Sequence, residues 1–432
     1  MAHNPEADPH PTTPAPIVPA SPRDSPDRFG DARDRFFDLR LGLFLHWGLY
    51  AIPAWQEQDQ WRRNWPRERY ARLMRRFHPR RFEPEHWIET ARSIGGQYLC
   101  FTAKHADGFC LWDSDLTEYK STRTPFGRDI VAELATACAR ASFPLRIYYS
   151  VVDEHHPAYP HAGRRWEYRG PQPGDRPDRD AYLAYLRGQV EELCTRYGPL
   201  DGFWWDGNIA GWQDPAINAR IRELQPGILI NNRGMDPGDY GTPERDWDAE
   251  ADAQRVFPRA TEACQALGSQ SWGHRRHEDY YTTSHLLRSI AKTLAKGGAY
   301  LLNTGPRADG SLAPADLRIL RRIGDWFARA REAFDGTVPA SHEITSPDFV
   351  ATRRGSSTLY VMPCRPAVTR AIPLKPLRAT PRTATDLISG RKLAVRCELL
   401  PWDHGDGIAY PRIYDIPERL LESSVPVIRL DF

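Results

Sequence analysis

The sequence predicts a (β/α)8-like barrel of the TIM type, with an irregular or missing strand, followed by a C-terminal β-sandwich. Between residues 28 and 335, seven apolar strand patterns alternate with helical segments. Alternation of this kind indicates a parallel sheet, and seven or eight such units indicate a closed barrel. From residue 336 onward, short β-rich runs separated by Pro and Gly are typical of a sandwich. We therefore divide the chain into a tail (1–27), a barrel (28–335) and a β-sandwich (336–432).

The composition narrows the class of protein. Residues 1–27 are rich in Pro and lack an apolar core, which predicts a disordered tail and no signal peptide. A formal charge of +2 without any run of six like charges gives no indication of a nucleic-acid partner. No apolar stretch approaches the roughly 20 residues of a membrane span. Seven scattered cysteines without a Cys-x-x-Cys pair favour free thiols and a cytoplasmic location. A homo-oligomer is left open.

The predicted barrel strands are continuous apolar runs that end in polar residues. Such runs suit parallel strands that are covered on both faces. In chain order the predicted strands are Leu41–Gly48, Tyr98–His105, Leu145–Ser150, Phe203–Asp206, Gly227–Arg233, Ala260–Gln265 and Gly298–Gly305.

The predicted helices lie between these strands. One begins at a proline, which suits the first helical turn, and ends at Gly95-Gly96. The predicted helices are Arg67–Arg76, Pro84–Ile94, Ile130–Ala141, Asp180–Tyr197, Ser284–Lys296 and Ala313–Ala330. The C-terminal part carries runs such as Asp348–Arg353, Thr358–Met362 and Val427–Leu430 but no cluster of acids, His or Cys, so we expect it to be structural.

The stretch Leu200–Asn208 carries the strongest chemical signal. Asp206 follows Phe203-Trp204-Trp205 at the end of a buried strand, immediately before a glycine. Placing a carboxylate beside indole rings disfavours its charged form unless a partner is supplied. We interpret Asp206 as a nucleophile at the mouth of the barrel. The alternative is an aspartate that caps the following turn.

Other polar residues fall at the predicted carboxyl ends of the strands, where a barrel presents its active site. Each residue alone is weak evidence for a functional site, because a single His or Trp is more often a packing residue. Together they are His46, His105, Tyr149, Asp206, Arg233, Glu244, Glu262 and Asn303. Carboxylates with aromatics, and without a phosphate-binding glycine loop, suit glycoside hydrolysis. The pairs His155-His156 and His274/His277 lack a carboxylate at a metal-binding spacing, so we predict no metal.

Several motifs together resemble the α-L-fucosidases of glycoside hydrolase family 29. The resemblance runs in order from about residue 36 to 335. The motifs are Phe44-Leu-His-Trp-Gly-Leu-Tyr50, Phe101-Thr-Ala-Lys-His-Ala-Asp-Gly-Phe-Cys-Leu-Trp112, Tyr148-Tyr-Ser150, Trp204-Trp-Asp206, Ser271-Trp-Gly273 and Leu301-Leu-Asn-Thr-Gly-Pro306.

The resemblance implies a retaining exo-glycosidase that releases terminal α-L-fucose through a covalent intermediate, without a cofactor. Asp206 matches the family nucleophile. The family's acid/base is a glutamate of variable position, for which Glu244 is our first choice and Glu262 our second. The sugar contacts that it implies are Phe44, His46, Glu57, His105, Tyr149, Trp204, Arg233 and Trp272. Phe44 and Trp272 would line the pocket for the C5 methyl, and either tyrosine of the Tyr148-Tyr149 pair could face inward.

Two positions depart from the family pattern. Ala106 replaces a histidine, and Gln58 stands where a tryptophan usually follows Glu57, with Trp61 as its substitute. A lost neutral hydrogen bond costs about 0.5–1.5 kcal/mol, which changes sugar preference or rate without abolishing the chemistry. The alternatives are a related glycosidase for a sugar such as an α-L-galactoside, and a catalytically silent fucose-binding protein.

Overall fold

The computed structural model describes most of the chain from residue 26 onward. Apart from residues 26 and 27, the predicted N-terminal tail lies outside the described residues. The described ranges are 26–163, 167–168, 170–207, 211–245, 255–366, 369–375, 379–399, 409–422 and 425–432.

A seven-stranded, wholly parallel sheet forms the first part of the described chain, and it confirms the predicted barrel class. The strands are β1 (Leu41–Leu45), β2 (Tyr98–Lys104), β3 (Leu145–Ser150), β4 (Gly202–Asp206), β5 (Leu229–Ile230), β6 (Glu262–Ala266) and β7 (Ala299–Thr304). Their spatial order is β5-β4-β3-β2-β1-β7-β6. All the polar residues at the carboxyl ends of these strands therefore face the same rim.

Helices follow most of these strands. They are α1 (Asp59–Arg62), α2 (Arg67–Ala71), α3 (Pro84–Ser93), α4 (Ile130–Arg140), α5 (Arg179–Arg196), α6 (Pro215–Leu224), α7 (Thr283–Ala295), α8 (Pro314–Ala330) and the C-terminal α9 (Glu418–Glu422). The predicted helix over Arg67–Arg76 divides into α2 and a 3-10 turn, Arg72–Arg76. Several of the longer helices begin with a side-chain cap, as where Asp129 accepts a hydrogen bond from the backbone of Ala132.

Successive side chains of each barrel strand point to opposite faces of the sheet. The two faces pack into different hydrophobic cores. Inward side chains such as Phe44, Tyr148 and Trp204 pack together inside the barrel. Outward side chains such as Tyr149 and Trp205 belong to the larger core under the helices. Because both faces are apolar, the sequence of a strand does not reveal which face points inward.

The barrel closes through a segment that no strand pattern predicts. Residues 240–244 run between β5 and β6 and meet them through single parallel bridges, which join Asn231 to Tyr240, Gly241 to Thr261, and Glu244 to Cys264. The Glu262 amide donates to the Gly241 carbonyl at 2.8 Å, and the Cys264 amide donates to Pro243 at 3.0 Å. This closing segment takes the place of the eighth strand.

The predicted strand Gly227–Arg233 shrinks to the two residues of β5 for a local reason. The side-chain amide of Asn231 accepts a bond of 2.9 Å from the Trp205 backbone N–H and donates one of 3.0 Å to its carbonyl. The side chain thus occupies both backbone groups that a longer β5 would have paired. The backbone beyond Asn231 turns away and brings Arg233 over the barrel mouth.

An antiparallel eight-stranded sheet forms the C-terminal part, in agreement with the predicted all-β architecture. Its strands are β8 (Val338–Pro339), β9 (Phe349–Arg354), β10 (Thr358–Pro363), β11 (Ile372–Pro373), β12 (Thr383–Asp386), β13 (Lys392–Leu399), β14 (Ala409–Tyr414) and β15 (Ile428–Asp431). Side chains from both ends of the strand order, including Phe349 and Ile413, share one core, so the sheet curls on itself. Among the described residues, no helix combines the length and apolar character needed to cross a bilayer.

Candidate active site

A cavity of about 700 Å³ opens at the carboxyl ends of the barrel strands. Such a volume lies within the range of small-molecule sites. Most of the predicted site residues line it, and several residues that we did not predict join them. The lining consists of Phe44, His46, Glu57, Gln58, Trp61, Arg62, His105, Ala106, Tyr148, Ser150, Val152, Trp204, Asp206, Gly207, Arg233, Glu244, Cys264 and Trp272.

Asp206 is the last residue of β4, and both of its carboxylate oxygens are engaged. The Tyr148 hydroxyl donates to Oδ2 at 2.8 Å, and the Arg233 guanidinium donates to Oδ1 at 3.1 Å. Burial raises the pKa of Asp206, but the charge of Arg233 and the Tyr148 hydrogen bond outweigh it and leave the pKa below its ordinary value. The arrangement holds an ionised, oriented carboxylate at the cavity floor.

Arg233 joins Asp206 to Glu244. A second guanidinium nitrogen donates to Oε2 of Glu244 at 3.0 Å, and the Nε atom donates to the Thr242 hydroxyl at 2.8 Å. The guanidinium also lies 5.0 Å from the ring centre of Trp204. One planar group therefore brings the two carboxylates to the same cavity, Asp206 from a strand end and Glu244 from the closing segment.

Three aromatic rings stack on one side of the cavity. His105 and Tyr148 are nearly parallel with centroids 5.6 Å apart, and Tyr148 stacks on Trp204 at 5.5 Å. Burial lowers the pKa of His105 below its ordinary value, so its imidazole is neutral at neutral pH. A neutral imidazole has one donor and one acceptor nitrogen, so beside an indole it suits a sugar, whose hydroxyl groups both donate and accept hydrogen bonds.

His46 completes this wall as a second neutral imidazole. Burial lowers its pKa to about 3. The Asn303 side chain donates to the Trp272 carbonyl at 2.7 Å, which turns its oxygen toward Nδ1 of His46 at 2.6 Å. His46 therefore carries its proton on Nδ1 and offers Nε2 as an acceptor.

Glu57 positions the part of the cavity lining that contains Trp272. Its Oε2 accepts hydrogen bonds from the Ser271 hydroxyl at 2.9 Å and from the backbone of Trp272 at 2.8 Å. The Trp272 ring then lies 6.5 Å from Phe44, and the two rings form an apolar corner.

Ala106 and Gln58, the two departures from the family pattern, both line the same cavity.

Tyr149 does not line the cavity, so its predicted sugar contact is wrong. It points outward from β3, and its hydroxyl donates to Gln189 of α5 at 2.8 Å. Tyr148 takes the inward position instead, because neighbouring residues of a strand face opposite sides. Its register partner on β4 is Trp204, and that pairing would have identified it had the inward face been known.

Glu262 is the first residue of β6, so its predicted place at a carboxyl end is wrong. It is fully buried below the cavity floor, where Tyr98 donates to Oε2 at 2.6 Å and the Trp204 indole donates to Oε1 at 3.0 Å. Arg146, also fully buried, forms an ion pair with it and a second one of 2.7 Å with Asp201. This buried network supports the ring of Trp204 and lies away from the cavity lining.

Within the described ranges, no group of three or more His, Cys, Asp and Glu side chains is arranged to hold a metal ion. The carboxylates of the cavity are engaged instead by Arg233, Tyr148 and the backbone beside Trp272. The chemistry that this arrangement can perform is that of two carboxylates and their hydrogen-bond partners.

Comparison with known proteins places this geometry in a family. A family model described as alpha-L-fucosidase matches residues 21–332. Human tissue alpha-L-fucosidase is 26% identical over 333 residues, which cover 70% of this chain and 69% of the human protein.

Solved structures agree over nearly the whole chain. Alpha-L-fucosidase isoenzyme 1 from Paenibacillus thiaminolyticus has a TM-score of 0.76 at 31% identity, covering 93% of this chain and 99% of that one. A GH29 alpha-L-fucosidase from Bacteroides thetaiotaomicron, a covalent intermediate trapped in a mutant with 2-fluoro-fucosyl fluoride, has a TM-score of 0.77 at 25% identity and covers 95% of this chain and 98% of its own. The chain therefore belongs to the α-L-fucosidase family of glycoside hydrolases, family 29.

Proposed function

We propose that the protein is a retaining exo-glycosidase that hydrolyses terminal α-L-fucosidic bonds. The observation that carries the proposal is the bridging of Asp206 and Glu244 by Arg233 in one cavity. Two carboxylates on a common sugar site are what glycoside hydrolysis uses, and retention calls for a separation of about 5–5.5 Å during reaction. The third carboxylate of the cavity, Glu57, is held by the backbone beside Trp272.

In the first step Asp206 attacks C1 of the sugar while Glu244 gives its proton to the glycosidic oxygen. The bond from C1 to the leaving group breaks, and an ester between Asp206 and the sugar forms. In the second step Glu244 takes a proton from water, whose oxygen attacks C1 and releases Asp206. A carboxylic acid donates only when protonated, so Glu244 acts as the acid in its neutral form, in which its contact with Arg233 is no longer an ion pair.

The walls of the cavity favour fucose over α-L-galactose. The corner formed by Phe44 and Trp272 offers no hydrogen-bond partner from its ring faces and suits the C5 methyl of fucose. A hydroxymethyl group in that corner would lose its hydration without a new bond, which costs about 1–3 kcal/mol. His46, His105 and Glu57 are the proposed partners of the sugar hydroxyls.

The test compares wild type with Asp206→Ala on an aryl α-L-fucoside, with the matching α-L-galactoside as second substrate. We expect wild-type turnover of the fucoside, with the α anomer as first product by NMR, and a loss of about 10³-fold or more in the variant. Azide should then restore turnover of Asp206→Ala by attacking C1 itself.

Three outcomes would change the proposal. A β anomer as first product would overturn retention. Preference for the galactoside would change the sugar, and fucose binding without turnover by the wild type would favour a silent binding protein.

We also keep a cytoplasmic location as a prediction. All seven cysteines are free thiols and six of them are buried, as suits a reducing compartment. Fractionation of the producing cells tests it, and recovery of the protein outside the cytoplasm would contradict it.

A further inference from the structure

An arginine-rich segment borders the catalytic cavity. Residues 59–76, here called the arginine strip, contain seven arginines and two acids and so carry a formal charge of +5, while the whole chain carries +2. The remainder of the chain is therefore net acidic. Charge concentrated in this way creates a local field that attracts anions.

Most of these arginines are available to a ligand. Arg63 pairs with Asp59 at 3.1 Å, and Arg67 pairs with Asp175. The others are exposed and, among the described residues, pair with no carboxylate. They are Arg62, Arg69, Arg72, Arg75 and Arg76. Of these, Arg62 donates its Nε to the Gln58 side chain at 2.8 Å. Exposed arginines without an ion-pair partner keep donor edges of the guanidinium available to an external anion.

The strip forms one wall of a groove of about 770 Å³. Its lining includes Arg67, Glu68, Arg72 and Arg75 of the strip, together with Arg123 and His155. Burial lowers the pKa of His155 to about 4, so this ring adds no charge at neutral pH. Arg123 is paired with Glu118 at 2.6 Å, which leaves Arg72 and Arg75 as the cations that face the groove unpaired.

The same two chain segments contribute residues to the groove and to the catalytic cavity. Trp61 and Arg62, at the start of the strip, line the cavity, as does Val152, while His155 of the same loop lines the groove. The Arg67 side chain joins these two segments by donating to the Glu154 carbonyl at 3.1 Å. A substrate that extends out of the cavity past Arg62 would therefore run along the strip toward Arg72 and Arg75.

We propose that the arginine strip binds the remainder of the substrate, and that this remainder is an anionic glycan bearing carboxylate or sulfate groups. The inference rests on the proposed function, because it assigns the part of the substrate beyond the scissile bond. Arginine matches both anions through two parallel hydrogen bonds. A glycan is favoured over nucleic acid because the strip begins in the wall of a sugar-sized site whose rings and neutral imidazoles suit hydroxyl groups.

Binding is tested directly, so that the result does not depend on turnover. The probes are a fluorescently labelled heparin oligosaccharide for sulfate, an oligogalacturonate for carboxylate, and a DNA duplex of similar charge. The variant Arg72→Gln/Arg75→Gln is compared with Arg321→Gln/Arg322→Gln, which removes the same charge from two exposed positions of α8. Thermal unfolding of each variant checks that the fold is kept.

We expect wild type to bind at least one glycan probe more tightly than the duplex, and more weakly as salt rises. The strip variant should bind roughly three- to tenfold more weakly, because it loses two solvent-exposed ion pairs with the anion, and the α8 variant should bind as wild type. Arg72→Lys/Arg75→Lys should recover part of the loss. No glycan binding, equal loss in both variants, or preference for the duplex would overturn the proposal. Turnover of a neutral aryl fucoside by wild type tests the proposed function separately.

Discussion

Tyr148 donates a hydrogen bond of 2.8 Å to Oδ2 of Asp206 from the neighbouring strand. The tyrosine ring is itself fixed between His105 and Trp204. The proposed nucleophile is therefore oriented by a side chain that cannot turn away without disturbing the stack. This contact and the Arg233 ion pair offset the burial that would otherwise keep a proton on the carboxyl.

Replacing Tyr148 with Phe removes one cause of the low pKa of Asp206 while burial remains, so this pKa should rise. The nucleophile acts only when ionised, which it is above its pKa, so the acidic limb of the kcat/KM profile should move to higher pH. A hydrogen bond to a charged group is worth about 1.5–3 kcal/mol, so kcat/KM should fall about 10- to 100-fold.

Tyr149→Phe is the matched control for this change. It removes the same hydroxyl from the other face of β3, where the partner is Gln189. Its pH profile should equal that of the wild type, although it loses some stability. A Tyr148→Phe enzyme with reduced rate but an unmoved acidic limb would contradict the role we assign to the hydrogen bond.

Glu244→Gln should separate substrates by their leaving groups. Glutamine cannot give up a proton, so aryl fucosides with poor leaving groups should lose about 10²- to 10⁴-fold in kcat/KM, the usual contribution of a general acid. Aryl fucosides whose leaving groups need no protonation should lose far less in the first step. The measurement is kcat/KM against leaving-group pKa. An equal loss across the series would exclude Glu244 as the acid.

Glu262→Gln should affect stability more than chemistry. It leaves the buried Arg146 with one ion-pair partner fewer, and breaking a buried pair costs about 3–5 kcal/mol in the free energy of unfolding. Urea unfolding measures this cost. Glu85→Gln, which breaks the exposed Glu85–Arg140 pair of 2.9 Å, should cost less than about 1 kcal/mol. A dependence on leaving-group pKa in Glu262→Gln, without loss of stability, would instead support Glu262 as the acid.

Asp107 should make the stability of the protein depend on pH. Burial raises its pKa to about 7, despite hydrogen bonds from the Phe109 amide and the Tyr70 hydroxyl. Between its unfolded pKa of roughly 4 and pH 7 the folded protein holds a proton that the unfolded chain releases, so the free energy of unfolding falls as pH rises.

Asp107→Asn should remove this dependence, so its stability advantage over wild type should be larger at pH 8 than at pH 5 by about 1 kcal/mol or more. Urea unfolding at the two pH values measures it. Asp180→Asn, at an exposed position, is the control and should follow the wild type. Identical pH slopes for Asp107→Asn and wild type would show that Asp107 is not the group responsible.

The sequence allows the strand ends to be predicted better than the strand faces. Asp206, His46 and His105 could be placed because an apolar run followed by a polar residue marks the rim of a parallel sheet. Tyr148 and Tyr149 could not be distinguished, because every residue of β3 is buried and each of its two faces carries one of the tyrosines.

The misplacement of Glu262 and the missing eighth strand have one cause. The closing segment, residues 240–244, contains Gly and Pro and pairs through single bridges, so it has no strand pattern in the sequence. Without it, the sequence does not show that β6 begins only at Glu262 and continues to Ala266. Glu244 was identified by the family resemblance, and its contact with Arg233 appears only in three dimensions.

Because of the closing segment, the proposed proton donor can keep its place in space even where its residue number differs. Glu244 stands at the bridge to Cys264, so its place is determined by pairing with β6 and not by a motif around it. Insertions or deletions upstream of that bridge could shift the residue number of the glutamate while leaving the carboxyl group above the sugar. Sequence alignment alone would then miss the equivalent residue in distant relatives, and superposition on β6 would recover it.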